Sequence, residues 1–150
     1  FAEGRAHLDK MQSTYGLMRT IGLPASLAWA AQGAVAVAAA IAVALAWAGR
    51  LPFPVKAAAV ATGALLASPY VYVYDQVLLA VPVAYLLRDR LAAGPARAEW
   101  IALVLAGLLI LTFPAWDLPT GLLAVAIVAG LVARDARRCR REGPPSPALG

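Results

Sequence analysis

Cysteine, histidine and charged residues are scarce in this chain of 150 residues. The single cysteine, Cys139, excludes an internal disulfide and a cysteine-cluster metal site. The single histidine, His7, has no metal-ligating partner at a useful spacing, so we predict no histidine-based metal site. Charged residues make up only 14% of the chain, whereas a soluble domain typically has about 25%. These shortages argue against a disulfide-rich domain, a metal module and an ordinary soluble domain.

Apolar residues are abundant instead. They make up 62% of the chain, against about 45–50% in soluble domains, and the mean hydropathy is +0.73. The composition therefore predicts an integral membrane protein in contact with membrane lipids. The net charge of +5 comes largely from arginines in the C-terminal tail and in two short turns, which suits an anionic leaflet better than nucleic acid. We predict no nucleic-acid partner.

The clearest transmembrane segment is 24–48, which has 25 residues and no charge. Trp29 and Trp47 lie 18 residues apart, roughly 27 Å along a helix, which is close to the separation of the two aromatic belts of a membrane. Gln32 should face protein, where its amide can find a partner. Small residues that we expect to face neighbouring helices rather than lipid are Ala30, Gly33, Ala34 and Ala38.

The predicted fold class is all-α, a polytopic transmembrane helical bundle of about five membrane helices, some of them short or re-entrant, plus an N-terminal interfacial helix. After 24–48, the apolar arms are 55–67, 76–87, 100–113 and 122–133. The arms 55–67 and 76–87 are short for a full crossing, so they either span as a tight hairpin or re-enter.

Three regions follow from this pattern. Residues 1–23 are predicted to be an extracytoplasmic amphipathic segment with a capping box at Asp9 and Gln12. Residues 24–133 are the transmembrane helical region, and residues 134–150 are a basic, disordered cytoplasmic tail that ends in prolines. The chain opens at a phenylalanine with neither a signal peptide nor a span, so we expect it to be a C-terminal fragment of a longer membrane protein.

Basic residues predict the orientation. With the C-terminus in the cytoplasm, the inner turns and the tail contain ten of the thirteen Lys and Arg residues. Residues 1–23, the segment 68–76 and the turn around Trp116 then share the extracytoplasmic side. The predicted location is the bacterial inner (plasma) membrane, with several passes.

The segment 68–76, Ser-Pro-Tyr-Val-Tyr-Val-Tyr-Asp-Gln, interrupts sequence that is otherwise apolar. A break with proline, tyrosines and a carboxylate is tolerated only at the membrane interface, within a protein bundle or along a wet cavity. One interpretation is that the carboxylate of Asp75 and the phenols of Tyr70, Tyr72 and Tyr74 face a polar functional site. Alternatively, Asp75 is the N-cap of a helix that begins at Gln76, and the tyrosines are an interfacial belt.

The same residues carry a family resemblance. The runs 10–15 (Lys-Met-Gln-Ser-Thr-Tyr), 67–70 (Ala-Ser-Pro-Tyr) and 74–76 (Tyr-Asp-Gln), with a membrane helix containing Gln32 between them, are similar to the C-terminal part of the glycosyltransferase family 87 proteins, formerly the DUF2029 group. The similarity covers roughly residues 8–90, and the Ser-Pro-Tyr to Tyr-Asp signature is its most specific piece.

The resemblance implies a polytopic enzyme of the GT-C class. Such an enzyme transfers a sugar, typically mannose, from a polyprenyl-phosphate donor to a glycan or glycolipid acceptor at the extracytoplasmic face, without a cofactor. It also implies that the catalytic acid lies in an outer loop upstream of this fragment, and that upstream helices of the same protein complete the bundle. In such a site, Asp75 with Tyr70, Tyr72 and Tyr74 could hydrogen-bond sugar hydroxyls or support the base.

A second candidate set consists of His7, Lys10 and Arg19. These side chains could pair with the phosphate of a lipid-linked donor, with Lys10 favoured because it lies within the matching run. Alternatively, they are solvated charges on an interfacial helix.

Two other classes of function stay open on the sequence. A transporter segment would also interrupt helices with proline, tyrosine and aspartate, and it predicts that Asp75 lies near the membrane midplane. A non-catalytic assembly subunit would use the outer turns as docking surfaces.

Overall fold

The structure is a computed structural model that describes residues 11–93, 97–112 and 119–142. Within these residues every regular element is helical, which confirms the all-α class. The elements are, in chain order, α1 Thr14–Thr20, α2 Ala25–Ala48, α3 Phe53–Ala67, a 3₁₀ segment Val73–Leu79, α4 Ala80–Ala93, α5 Arg97–Leu111 and α6 Thr120–Glu142.

Helices α2 and α3 pack side by side in opposite directions. At one end, the Nζ of Lys56 donates to the carbonyl of Trp47 at 3.2 Å, and toward the other end the side chain of Gln32 contacts the last carbonyls of α3. Seven residues of α2, from Ala25 to Ala31, extend beyond this contact. At about 1.5 Å per residue, α3 therefore stops about 10 Å short of the N-terminal end of α2.

Helix α1 packs beside this projecting part of α2. Its N-cap is Ser13, whose side chain accepts from the backbone N–H of Gly16 at 3.1 Å. The predicted capping box required Asp9, which lies outside the described residues, and Gln12 precedes the helix. Met11 and Gly16 are buried, so α1 is held by the bundle and does not merely lie beside it.

The core of the described structure is built from α3, α4, α5, α6 and the residues around the 3₁₀ segment. Its buried side chains are Ala58, Leu65, Val71, Leu79, Leu86, Ala106, Ala124, Val125, Val128, Leu131 and Val132. Most of these are small or β-branched, which allows the helices to approach one another closely.

The basic C-terminal segment is helical as far as Glu142. We predicted a disordered tail from residue 134, but 134–142 form the last turns of α6. The buried carboxylate of Glu99 on α5 explains part of the difference, because Arg134 and Arg138 both reach it at 3.3 Å. Arginines are also favourable in the last turns of a helix, where the helix dipole is negative. Residues 143–150 lie outside the described structure.

The face that α2 presents to the bundle differs from the predicted one. The predicted set of Ala30, Gly33, Ala34 and Ala38 is exposed in the described structure. The buried positions of α2 are Ala28, Gln32, Ala39 and Ala46. Hydropathy does not distinguish the faces of an alanine-rich helix, because all of them are similarly apolar. Gln32 needs polar partners, so it determines which face packs against the bundle.

Among the described helices, α2 alone is long and apolar enough to cross a membrane by length and composition, and α3 is a shorter apolar helix. Only 17% of the most apolar 18-residue window of α2 is buried, whereas the core helix of a soluble protein is mostly buried. Large side chains such as Ile41, Ile101 and Leu108 are also exposed, so this surface needs an apolar cover. The number of membrane-crossing helices stays a prediction.

Candidate functional site

The candidate site is built around the break between α3 and the 3₁₀ segment. Helix α3 ends at Ala67 because Pro69 cannot continue a helix and disfavours the helical conformation at Ser68. Ser68 accordingly has an extended backbone, with φ −75° and ψ 126°, and Tyr72 is extended as well. The carbonyls of such a segment have no helical partner, so other elements must supply donors.

The residues that lead into α1 supply those donors. The backbone N–H of Gln12 donates to the carbonyl of Val71 at 2.6 Å. The hydroxyl of Ser13 donates to the carbonyl of Pro69 at 2.6 Å while it caps α1. Both side chains are almost completely buried, with 1% and 2% exposure. The short chain segment 12–13 is therefore a strap that ties α1 to the break.

Gln32 joins three elements at the same place. Its Oε1 accepts from the backbone N–H of Tyr15 at 3.1 Å. Its Nε2 donates to the carbonyls of Leu66 and Ala67 at 3.0 and 3.1 Å. The prediction that Gln32 faces protein is confirmed, since the residue is 2% exposed.

A second buried polar contact joins the strap to α6. The Oε1 of Gln12 accepts from the backbone N–H of Gly121 at 2.7 Å. The Gln76 side chain lies against the same glycine, because a Cβ built on Gly121 would be 2.8 Å from Nε2 of Gln76 and 2.9 Å from Oε1 of Gln12. We call Gln12, Gln76 and Gly121 the glutamine node. A larger residue at Gly121 would therefore require both amides to shift.

Aromatic rings cover the strap on the α2 side. The ring of Trp29 lies 4.8 Å from that of Tyr15 and 6.1 Å from that of Tyr70, the latter in an edge-to-face arrangement. Tyr72 and Tyr74 stack on each other with centroids 5.5 Å apart. Tyr70 and Tyr74 are exposed, so their rings also border the space outside the break.

Asp75 is the third residue of the 3₁₀ segment. Its Oδ2 accepts from the backbone N–H of Tyr72 at 2.8 Å, so the carboxylate satisfies a donor at the start of the helix. The alternative interpretation of Asp75 as an N-cap is thus corrected in detail: the N-cap is Tyr72, and the helix begins at Val73. A negative charge at this position is favourable because the N-terminus of a helix is positive.

Asp75 also lines an open groove of about 590 Å³ beside the break. Two of the three predicted sugar-binding tyrosines, Tyr70 and Tyr74, line it too. The third, Tyr72, does not line the groove but stacks on Tyr74. The remaining lining residues are Ala64, Leu65, Ser68, Val71, Val77 and Leu78. The groove thus combines an apolar wall with a carboxylate and two phenols, which can accept and donate hydrogen bonds to a hydroxylated ligand.

The predicted phosphate-binding residues are described only in part. Arg19 lies in α1, at the end of the bundle that contains the break, and its Nη1 donates to the carbonyl of Leu23 at 2.9 Å. His7 and Lys10 lie outside the described residues, as does the turn around Trp116. The structure therefore brings Asp75, Tyr70, Tyr72 and Tyr74 together.

The chain was compared with protein-family models, with curated proteins and with solved structures. None of them matches.

The contacts that Gln12, Ser13, Gln76 and Gly121 make in the structure were not predicted from the sequence. A usable signal was present, because a glutamine within apolar sequence needs polar partners, and that reasoning was applied only to Gln32. What was not visible is which polar residues would meet, since Gln12 and Gly121 are 109 residues apart.

The described residues offer groups for binding and proton transfer. No three His, Cys, Asp or Glu side chains are grouped there so as to hold a metal ion. Asp75 could accept a proton or orient a hydroxyl, and the tyrosines could donate hydrogen bonds to a sugar.

Proposed function

We propose that this chain is the C-terminal part of an integral-membrane glycosyltransferase that transfers a sugar, mannose in the first instance, from a polyprenyl-phosphate donor. The observation that carries the proposal is the groove, in which Asp75, Tyr70 and Tyr74 meet beside α1. Carboxylates and phenols on an apolar wall suit a ligand with both sugar hydroxyls and a lipid chain. The runs that resemble glycosyltransferase family 87 meet at this groove and at the strap beside it.

The proposed location is the bacterial inner membrane with the groove facing the extracytoplasmic side. The contacts of Arg134, Arg138 and Arg140 lie at the end of the bundle away from Asp75. Basic residues favour the cytoplasmic side, which turns the groove outward. The C-terminal end of α6 is then cytoplasmic, and α1 is extracytoplasmic.

In the proposed reaction an acceptor hydroxyl attacks the anomeric carbon of the donor, and the bond from that carbon to the lipid phosphate breaks. A carboxylate must take the hydroxyl proton while cationic or hydrogen-bonding groups hold the departing phosphate. We assign the base to an upstream outer loop and sugar binding to Asp75 with Tyr70 and Tyr74. Arg19, with His7 and Lys10, is the candidate partner of the phosphate.

The test replaces Asp75 by asparagine in the full-length protein. Asparagine keeps an oxygen that can accept from the N–H of Tyr72, but it removes the charge, so the fold should survive. We expect transfer from a polyprenyl-phosphate mannose donor to fall by roughly 10- to 100-fold, the effect of losing one hydrogen bond to a charged group. Initial rates with a radiolabelled donor, together with the amount of folded protein, measure this.

The matched control is Tyr85→Phe, because Tyr85 lies in α4, packed against the core and away from the groove. Tyr85→Phe should transfer sugar at the wild-type rate, whereas Tyr70→Phe and Tyr74→Phe should raise KM for the donor or the acceptor. A wild-type rate for Asp75→Asn would mean that the carboxylate only stabilises the start of the 3₁₀ segment and does not bind the sugar. No transfer by the wild-type full-length protein would reject the enzyme proposal itself.

A further inference from the structure

A second groove lies away from the break, between α2, α3 and α6. It encloses about 300 Å³. Its lining residues come from these three helices and from Leu51, which follows α2. All but three of these are apolar, and the two charged residues are both in the last turns of α6.

The wall of this groove offers almost no polar group to a ligand. The hydroxyl of Thr62 donates to carbonyls of its own helix, to Ala58 at 2.7 Å and to Ala59 at 3.2 Å. Gly63 allows α3 to approach α2, since a Cβ there would lie 2.7 Å from a methyl group of Val43. An occupant of this part of the groove must therefore be apolar.

The cytoplasmic end of the same groove is cationic. Nη2 of Arg140 donates to the carbonyl of Leu45 at 2.9 Å, which holds the side chain across the end of α2. Arg137 lies three residues earlier and therefore on the same face of α6. The neighbouring Arg134 and Arg138 reach Glu99 instead, so the two arginines at the groove are a separate pair.

We propose that this groove binds one acyl chain of an anionic phospholipid, with the phosphate held by Arg137 and Arg140. The lining runs from Ala39 to Ala46 along α2 and from Ala129 to Arg140 along α6, which is about 10 and 16 Å of helix. That length accommodates part of an acyl chain. Guanidinium groups bind phosphate oxygens strongly, and basic pockets between membrane helices attract anionic head groups.

Charge complementarity commits the groove to a lipid rather than to another helix of the same bundle. An apolar helix in the groove would offer no anionic group to these two exposed arginines, whereas a phospholipid supplies an apolar chain and a phosphate together. The site is far from the Asp75 groove and does not depend on sugar transfer. It requires only that the bundle lies in a bilayer.

The test measures lipid retained by the purified protein. The protein is reconstituted in nanodiscs with equal amounts of phosphatidylglycerol and phosphatidylcholine, transferred to mild detergent and analysed by native mass spectrometry. We expect about one phosphatidylglycerol to remain per chain. The double variant Arg137→Gln with Arg140→Gln should retain roughly 10- to 30-fold less, because each basic group near the membrane surface adds several-fold to the affinity.

Two matched substitutions separate the charge from the groove. Ala42→Leu fills the groove and should displace the lipid, whereas Ala44→Leu, an exposed residue of α2 outside the lining, should not. Arg141→Gln removes a charge outside the lining and should leave retention unchanged. Arg137→Gln alone keeps the contact of Arg140 with Leu45, so it reports on phosphate binding even where the double variant does not fold.

The proposal is overturned if the wild-type protein retains both lipids equally, or if Arg141→Gln loses as much phosphatidylglycerol as Arg137→Gln. It is also overturned if a second copy of the chain, rather than lipid, remains bound and is released by Ala42→Leu. Selective loss of phosphatidylglycerol from Arg137→Gln and Ala42→Leu supports it.

Discussion

Gly121→Leu is expected to lower the free energy of unfolding by about 2–4 kcal/mol. A Cβ at this position would lie within 3 Å of the amides of Gln12 and Gln76, which are 1% and 4% exposed. Amide ends can often move away from a new side chain, but here the movement breaks the bond from the N–H of Gly121 to Gln12. The strap would lose its attachment to α6 as a result.

The same substitution on the same helix provides the control. Gly130 lies on the exposed face of α6, and a Cβ there meets nothing within 4 Å. Gly130→Leu should be neutral or stabilising by roughly 0.5 kcal/mol, since leucine is the better helix former. Unfolding of both variants in mixed micelles, followed by circular dichroism, makes the comparison. Equal stability of the two variants would mean that the glutamine node does not exist.

Gln32→Leu is expected to be about as damaging, at roughly 2–4 kcal/mol. Leucine has a similar volume but leaves the N–H of Tyr15 without its acceptor and the carbonyls of Leu66 and Ala67 without their donor. Each buried polar group left unpaired costs about 1–3 kcal/mol, and water can offset part of that cost. The end of α3 and the start of α1 would separate.

Neighbouring substitutions sharpen this result. Gly33→Ala changes the next residue of α2, where a Cβ has open space, and should not destabilise the protein. Gln32→Glu keeps an acceptor for Tyr15 but replaces the donor with a charge that repels the α3 carbonyls, so it should be no better than leucine. If Gln32→Leu and Gly33→Ala have the same free energy of unfolding, the three hydrogen bonds of Gln32 contribute nothing to stability.

Both predictions concern how the groove is held in place. Gln32 positions the end of α3, and the bond from Gly121 to Gln12 positions the strap, which hydrogen-bonds the segment leading to Asp75. The carboxylate therefore depends on amides that do not line the groove. Variants at Gln12 or Gln76 are expected to alter ligand binding indirectly, through the position of Asp75.

The sequence predicted where helices begin and end better than it predicted which residues pack against one another. The span 24–48 matches α2 within one residue, because an uncharged run of that length has few alternatives and Pro24 favours a start there. The inward position of Gln32 followed from its need for partners. The packed face of α2 could not be predicted, since its alanines are equivalent until a neighbouring helix is chosen. The helical turns at 134–142 depend partly on Glu99, which is 35 residues before Arg134.

By itself, the sequence determined that the chain is apolar and helical and that a polar break follows α3, because composition, proline and hydropathy act on each segment locally. Only the tertiary structure decided that the strap before α1 would bind this break, that Gln12 would meet Gly121, and that Asp75 would share a groove with Tyr70 and Tyr74. The reason is that a buried polar group must be paired, but nothing in its own neighbourhood specifies the partner.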